Sequence, residues 1–160
     1  MSEDNSQLDL AKAHRRFSAD CFNRTWTWIE KPDRTAADDE AMVLCALASL
    51  WHWTQRTDCT DQNLSIGHWQ VSRVYALVGQ GENATRHATE SLKFAQNCSP
   101  CLVGYAHEAG ARAALVSGDG AKFQEHLGKA RSCAATETHA DDRKALEQDL
   151  QSLEAAAEMR

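Results

Sequence analysis

Three sets of residues in this chain have the chemistry to build a site. The first is histidine. His52, His68 and His107 sit on or beside apolar helical stretches, while His14, His87 and His126 lie in more polar ones. Three inward imidazoles from three helices, with Glu108 next to His107, would give a divalent metal a nitrogen-and-oxygen shell inside a bundle. The chain has no His-x-x-x-His and no Glu-x-x-His pair, so the competing reading is histidines that hydrogen-bond a neighbouring helix. The second set is Cys98-Ser99-Pro100-Cys101. A thiol pair at a helix start can be redox-active, because the helix dipole favours the thiolate. The competing reading is a turn that happens to contain thiols, since that chemistry belongs in a βαβ setting. The third set recognises rather than reacts. Arg73 and Arg112 carry planar forks that match a carboxylate or phosphate, and Trp69 and Tyr105 can hold an apolar side chain. Glu108 stands four residues before Arg112, which also suits a weak surface ion pair.

Other chemistries lack their residues. There is no glycine-rich phosphate loop, no G-x-S-x-G elbow and no H-E-x-x-H. The 160 residues carry a net charge of −6, which disfavours nucleic acid and anionic membrane as partners, because both require a basic face. No apolar run reaches the roughly 20 residues of a membrane span, and the polar start, Met1 to Leu10, does not read as a signal peptide. A cytoplasmic location is therefore expected, with Cys21, Cys45 and Cys133 as small core residues rather than disulfide partners.

The elements that must position these groups read as helices almost throughout, because apolar residues recur at spacings of three and four and never alternate. Expected helices run over about 8–29, 36–56, 63–78, 82–97, 100–117, 121–134 and 141–157. Thr35 and Ser99 are expected N-caps, Pro100 suits a first turn, and Gly79 suits a C-terminal cap. The second helix is apolar nearly all round from Ala41 to Trp53, which predicts a central position. Trp26, Trp28, Trp51 and Trp53 are expected to alternate between core and helix flank. The last helix, with Leu146, Leu150 and Leu153 on a narrow stripe, reads as a cap on one end of a stack.

A shift of 39 residues superposes two segments: His68 falls on His107, Arg73 on Arg112, Gly79 on Gly118, and His87 on His126. Each segment is a helix, a glycine turn and a helix, a unit that buries its apolar face only by stacking on a neighbour. The stretch Ser72-Arg73-Val74-Tyr75-Ala76-Leu77-Val78-Gly79, followed by Ala84, Ala88 and Ser91, resembles a tetratricopeptide repeat. The second copy carries Gly118, Phe123, Leu127 and Ala130. It departs from the pattern at Ala114, where an aromatic is usual, and the period exceeds the family's roughly 34 residues. His14-Arg15-Arg16-Phe17, Lys31-Pro32-Asp33-Arg34-Thr35 and His52-Trp53 further resemble short bacterial helical proteins, to which no activity attaches.

The resemblance implies a short right-handed superhelix whose first helices line a concave, peptide-binding groove. Trp69, Arg73, Glu108 and Arg112 would face that groove, flanked by Ile66 and Tyr105. The whole reading is thus an all-α domain of about seven helices over residues 8–157. It has a tandem repeat at 65–134, a capping helix at 141–157, and a disordered start at 1–7. The expected function is noncatalytic recognition of a protein or peptide, with a carboxylate as one group it would present, and no cofactor. The alternative is a helical-bundle metal-binding protein or enzyme using His52, His68, His107 and Glu108. Self-association through exposed tryptophans is a third expectation.

Overall fold

The computed structural model describes residues 9–159, so the expected disordered segment 1–7 and Leu8 lie outside the described residues. Among the described residues there are seven helices and no strand: α1 (Leu10–Ile29), α2 (Ala36–Thr54), α3 (Asp61–Leu77), α4 (Gly81–Ala95), α5 (Pro100–Ser117), α6 (Gly120–Thr136) and α7 (Ala140–Glu158). None is long and apolar enough to cross a membrane.

Local chemistry sets the boundaries. Thr35 caps α2 in a reciprocal box with Asp38, and Thr60 does the same for α3 with Asn63, satisfying amides that have no partner inside the helix. That second box starts α3 at Asp61, two residues ahead of the expected Asn63. Ser99 caps α5 and Pro100 occupies its first turn. Gly79 and Gly118 both adopt the left-handed backbone, with φ of 76° and 74°. After each, the next amide reaches back to close the turn, Gln80 to the Tyr75 carbonyl and Asp119 to the Ala114 carbonyl, both at 2.9 Å. These positions differ by the repeat shift, so the two hairpins turn by the same device.

The helices pack as hairpins, α1 on α2, α3 on α4 and α5 on α6, and successive hairpins stack through α2–α3, α3–α5 and α4–α5, with α7 against α5 and α6. The central element is α5, not the α2 that its all-round apolarity suggested. In α5, Cys101, Gly104, Ala106, Ala109, Gly110, Ala111, Ala113 and Ala114 are buried, and such small side chains let four neighbouring helices come close. In α2, Met42, Ala46 and Leu50 point inward while Leu44 and Trp51 stay more than half exposed. One core centres on Phe123, Leu127, Leu146, Leu150 and Leu153. The other centres on Met42, Val71, Val74 and Tyr75.

Candidate functional site

The stacking brings α1, α3, α5 and α7 side by side and gathers seven aromatic and charged groups from them. Trp69 is at the centre. Its ring stacks at a tilt on Trp26, with centroids 5.8 Å apart, and meets Tyr105 edge-on at 5.4 Å. Its indole N–H donates to Glu108 Oε2 at 2.9 Å. Glu108 has no exposed surface. Its other oxygen accepts from Arg112 Nε at 3.0 Å and makes a closer contact with an Arg112 terminal nitrogen. Burial alone would raise this carboxyl, but the charges of Arg112 and Arg73 and the two donated hydrogen bonds outweigh it and hold it below its ordinary value.

Arg73 is the less satisfied partner. Its guanidinium lies 5.4 Å from the Trp26 ring centroid and 5.6 Å from that of Trp69. Glu108 Oε1 is 3.9 Å from Nη1 and Asp149 Oδ1 is 3.7 Å from it, both too far for a hydrogen bond. Nε and Nη1 are buried with no hydrogen-bond partner. Burial, followed by the nearby charge of Arg112, lowers its affinity for the proton. Tyr105 is pushed well above its ordinary value, first by burial and then by the negative charge of Asp149.

The five expected groove residues, Trp69, Arg73, Tyr105, Glu108 and Arg112, therefore come together. The expected roles change in one respect. The carboxylate on which the two arginines converge is the chain's own Glu108, and the Glu108–Arg112 pair is buried rather than superficial. Two members of the cluster were not found from sequence. Trp26 lies in a helix outside the tandem repeat, and Asp149 lies on α7, which has no counterpart under the shift of 39.

Beside the cluster are two open pockets of about 170 Å³ each. One lies between α3 and α5, lined by Ser65, Ile66, Trp69, Ser91, Leu102 and Tyr105. The other lies between α1 and α3, lined by Ala19, Phe22, Asn23, Trp53, Asn63 and Ile66. Ile66 is the wall they share.

The histidines pair, but not as a metal shell. His52 faces His14, His68 faces His87, and His107 faces His126, with Nδ1–Nδ1 separations of 2.8, 2.9 and 3.0 Å. Each pair joins the two helices of one hairpin. Among the described residues no group of three or more histidine, cysteine, aspartate or glutamate side chains is arranged to hold a metal, and Glu108 is engaged elsewhere. The expected set His52, His68, His107 and Glu108 is not assembled, because each imidazole meets its partner within its own hairpin. One tautomer follows from donors alone. Arg86 lies 3.3 Å from His87 Nε2 and can only donate, so His87 carries its proton on Nδ1 and donates it to His68. Burial, reinforced by His68 and Arg86, lowers His87 to about 4. Burial and His126 lower His107 to about 4.

Cys98 and Cys101 are free thiols engaged in different directions, Cys98 toward the Phe94 carbonyl at 3.5 Å and Cys101 toward the Asp142 carbonyl at 3.7 Å. Burial, then Asp142 and Glu137, push the Cys101 thiol up to about 11, opposite to the direction that its helix-start position alone suggests. Cys21 is likewise pushed to about 11, by burial and the neighbouring Cys45.

No protein-family model, curated protein or solved structure matches this chain.

Proposed function

We propose that this is a noncatalytic recognition module, a tetratricopeptide-like stack whose inner face holds a peptide. The observation that carries this reading is an open, aromatic-walled pocket between α3 and α5 that shares Trp69 and Tyr105 with a charge cluster. In that cluster Arg73 keeps two buried donors without partners. The pocket suits an apolar side chain, and the exposed part of Arg73, about 15% of its side chain, suits a carboxylate beside it. Hairpin stacks commonly serve recognition, which is support by fold analogy.

The test is selection of random dodecapeptides, displayed on phage, on the purified chain, followed by fluorescence-anisotropy binding of the selected peptides. Peptides should be enriched and should lose affinity for Leu102→Trp, which fills the pocket without replacing any residue of the charge cluster. No enrichment, or binding indifferent to Leu102→Trp, defeats the reading.

A second reading is self-association through the outer face of the first hairpin. Of the five large hydrophobic residues exposed among the described ones, Leu10, Phe17, Leu44 and Trp51 belong to α1 and α2. The far end of the stack is covered by α7, whereas among the described residues no polar helix covers this end. A second copy packed there would close it. Light scattering after size exclusion should then show a dimer that Trp51→Glu makes monomeric; a monomer at all concentrations dismisses this reading.

A further inference from the structure

Each hairpin closes on a pair of imidazoles, and the three pairs differ in what their second nitrogens and their surroundings permit. The Nδ1–Nδ1 separations of 2.8, 2.9 and 3.0 Å suit a hydrogen bond, and they also suit two ligands of one ion. With an imidazole nitrogen ~2.0–2.1 Å from a divalent transition metal, ligands at a right angle stand ~2.8–3.0 Å apart, and ligands at the tetrahedral angle ~3.3–3.4 Å. Tetragonal Ni(II) and Cu(II) present the right angle and accept imidazole. Tetrahedral Zn(II) needs a wider pair.

A chelating pair needs both Nδ1 lone pairs, so each neutral ring must carry its proton on Nε2. The second hairpin fails there, because Arg86 donates to His87 Nε2 and keeps the proton on Nδ1. In the third, His107 is buried, and Lys122 and Lys129 act on the pair against one carboxylate, Glu125, which disfavours a further cation. The first pair meets the conditions. Among the described residues neither His14 nor His52 has a hydrogen bond at Nε2. Both are partly exposed, so water can accept the Nε2 protons and fill the other positions of an ion. Trp51 packs on both imidazoles, with centroids 5.3 and 4.9 Å away, and Phe17 packs on His52 at 5.4 Å, which holds the two rings in place.

We propose that His14 and His52 form a two-ligand site for a tetragonal divalent ion of the Ni(II) and Cu(II) class, clamping α1 to α2 at the end of the hairpin away from its loop. Binding breaks the hydrogen bond between the two Nδ1 atoms and forms two metal–nitrogen bonds. The bridging proton moves to Nε2 of its own ring by exchange with water, so both imidazoles stay neutral.

The probe is Ni(II), because Cu(II) would oxidise the chain's six cysteines. Calorimetric titration of the full chain should show one equivalent bound. His14→Gln and His52→Gln should each weaken binding about tenfold or more, since even residues that only support a metal ligand carry that much affinity, and His68→Gln should leave it unchanged. Ni(II) should raise the urea midpoint of the wild-type chain and of neither His14→Gln nor His52→Gln. Circular dichroism confirms that the variants fold. Proton NMR needs no variant: the paramagnetic ion should shift the resonances of two imidazoles in the wild-type chain. Binding that persists in both glutamine variants, an equal loss in His68→Gln, shifted resonances from one imidazole or none, or no binding at millimolar Ni(II) each overturn the proposal.

Discussion

Trp69 donates its indole proton to Glu108 across 2.9 Å of space and 39 residues of sequence, and the two occupy equivalent positions in successive repeats. Arg73 and Arg112 are equivalent in the same sense and converge on the same Glu108 carboxylate. Stacking one hairpin on the next thus turns a sequence period into lateral contacts. The charge cluster is a product of the repeat, closed at its edges by the non-repeated Trp26 and Asp149.

The buried carboxylate makes the first prediction. Glu108 is fully enclosed and offsets two partly buried arginines. Removing one partner of a buried ion pair leaves an uncompensated charge and costs about 3–5 kcal/mol. Glu108→Gln should lower unfolding stability by that order in urea titrations. The additional change Arg112→Met should recover part of it, since it removes the orphaned charge. A loss below about 1 kcal/mol would mean that the cluster is more hydrated than its burial indicates.

Acid should loosen the hairpins. His87 and His107 stand at about 4 in the folded chain, against an ordinary 6.5, and burial also lowers His52, His68 and His126. Each is neutral when folded and binds a proton more readily when unfolded. Their contribution is therefore intact above pH 6.5 and is lost as pH falls from 6.5 toward 4. Arg86 beside the second pair and Lys129 near the third resist protonation further, while Glu90 and Glu125 oppose them. The urea midpoint should hold steady from pH 8 to 7 and drop steadily below 6.5. Replacing His87 and His107 by phenylalanine should flatten that slope; an unchanged slope would assign the acid lability to carboxylates instead.

Thiol reactivity separates Cys98 from Cys101. The first is half-buried after α4, whereas the second is buried and pushed to about 11. Because only the thiolate reacts, iodoacetamide at pH 8 should modify Cys98 in the native protein well before Cys101, as followed by peptide mass spectrometry. Faster modification of Cys101, or a Cys98–Cys101 disulfide after mild oxidation, would favour the redox reading.

Much of this was legible in the sequence, and the rest was hidden for identifiable reasons. The helical period and the glycines at 79 and 118 define the hairpins because a left-handed residue after a helix has few alternatives to glycine. The shift of 39 brought Trp69, Arg73, Glu108 and Arg112 to one face because equivalent positions stack. It did not give the histidine partners, since matching repeats compares one hairpin with the next, whereas His68 and His87 meet across a single hairpin, as the reading of histidines bonded to a neighbouring helix expects. All-round apolarity, in turn, pointed to α2 as the centre, where the structure has α5. The apolar bulk of α2 marks a surface that attracts neighbours without showing that both sides have one, whereas the alanines and glycines of α5 admit four helices by taking up little room.

Gly110 provides the sharpest test of that close packing. A Cβ built there would stand 2.7 Å from the Nδ1 and Cε1 of His126, whose Nδ1 is already 3.0 Å from that of His107. The imidazole would have to move and break its pairing, and such overpacking costs about 1–3 kcal/mol. Acting against it, alanine is about 1 kcal/mol better than glycine inside a helix. Gly110→Ala should therefore destabilise the wild-type chain. In the background of His126→Ala the obstruction is gone and only the propensity gain remains, so the same substitution should become stabilising. Thermal and urea unfolding of the four chains in this cycle measure both signs, and a substitution that destabilises equally in both backgrounds would show that the imidazole is not what Gly110 makes room for.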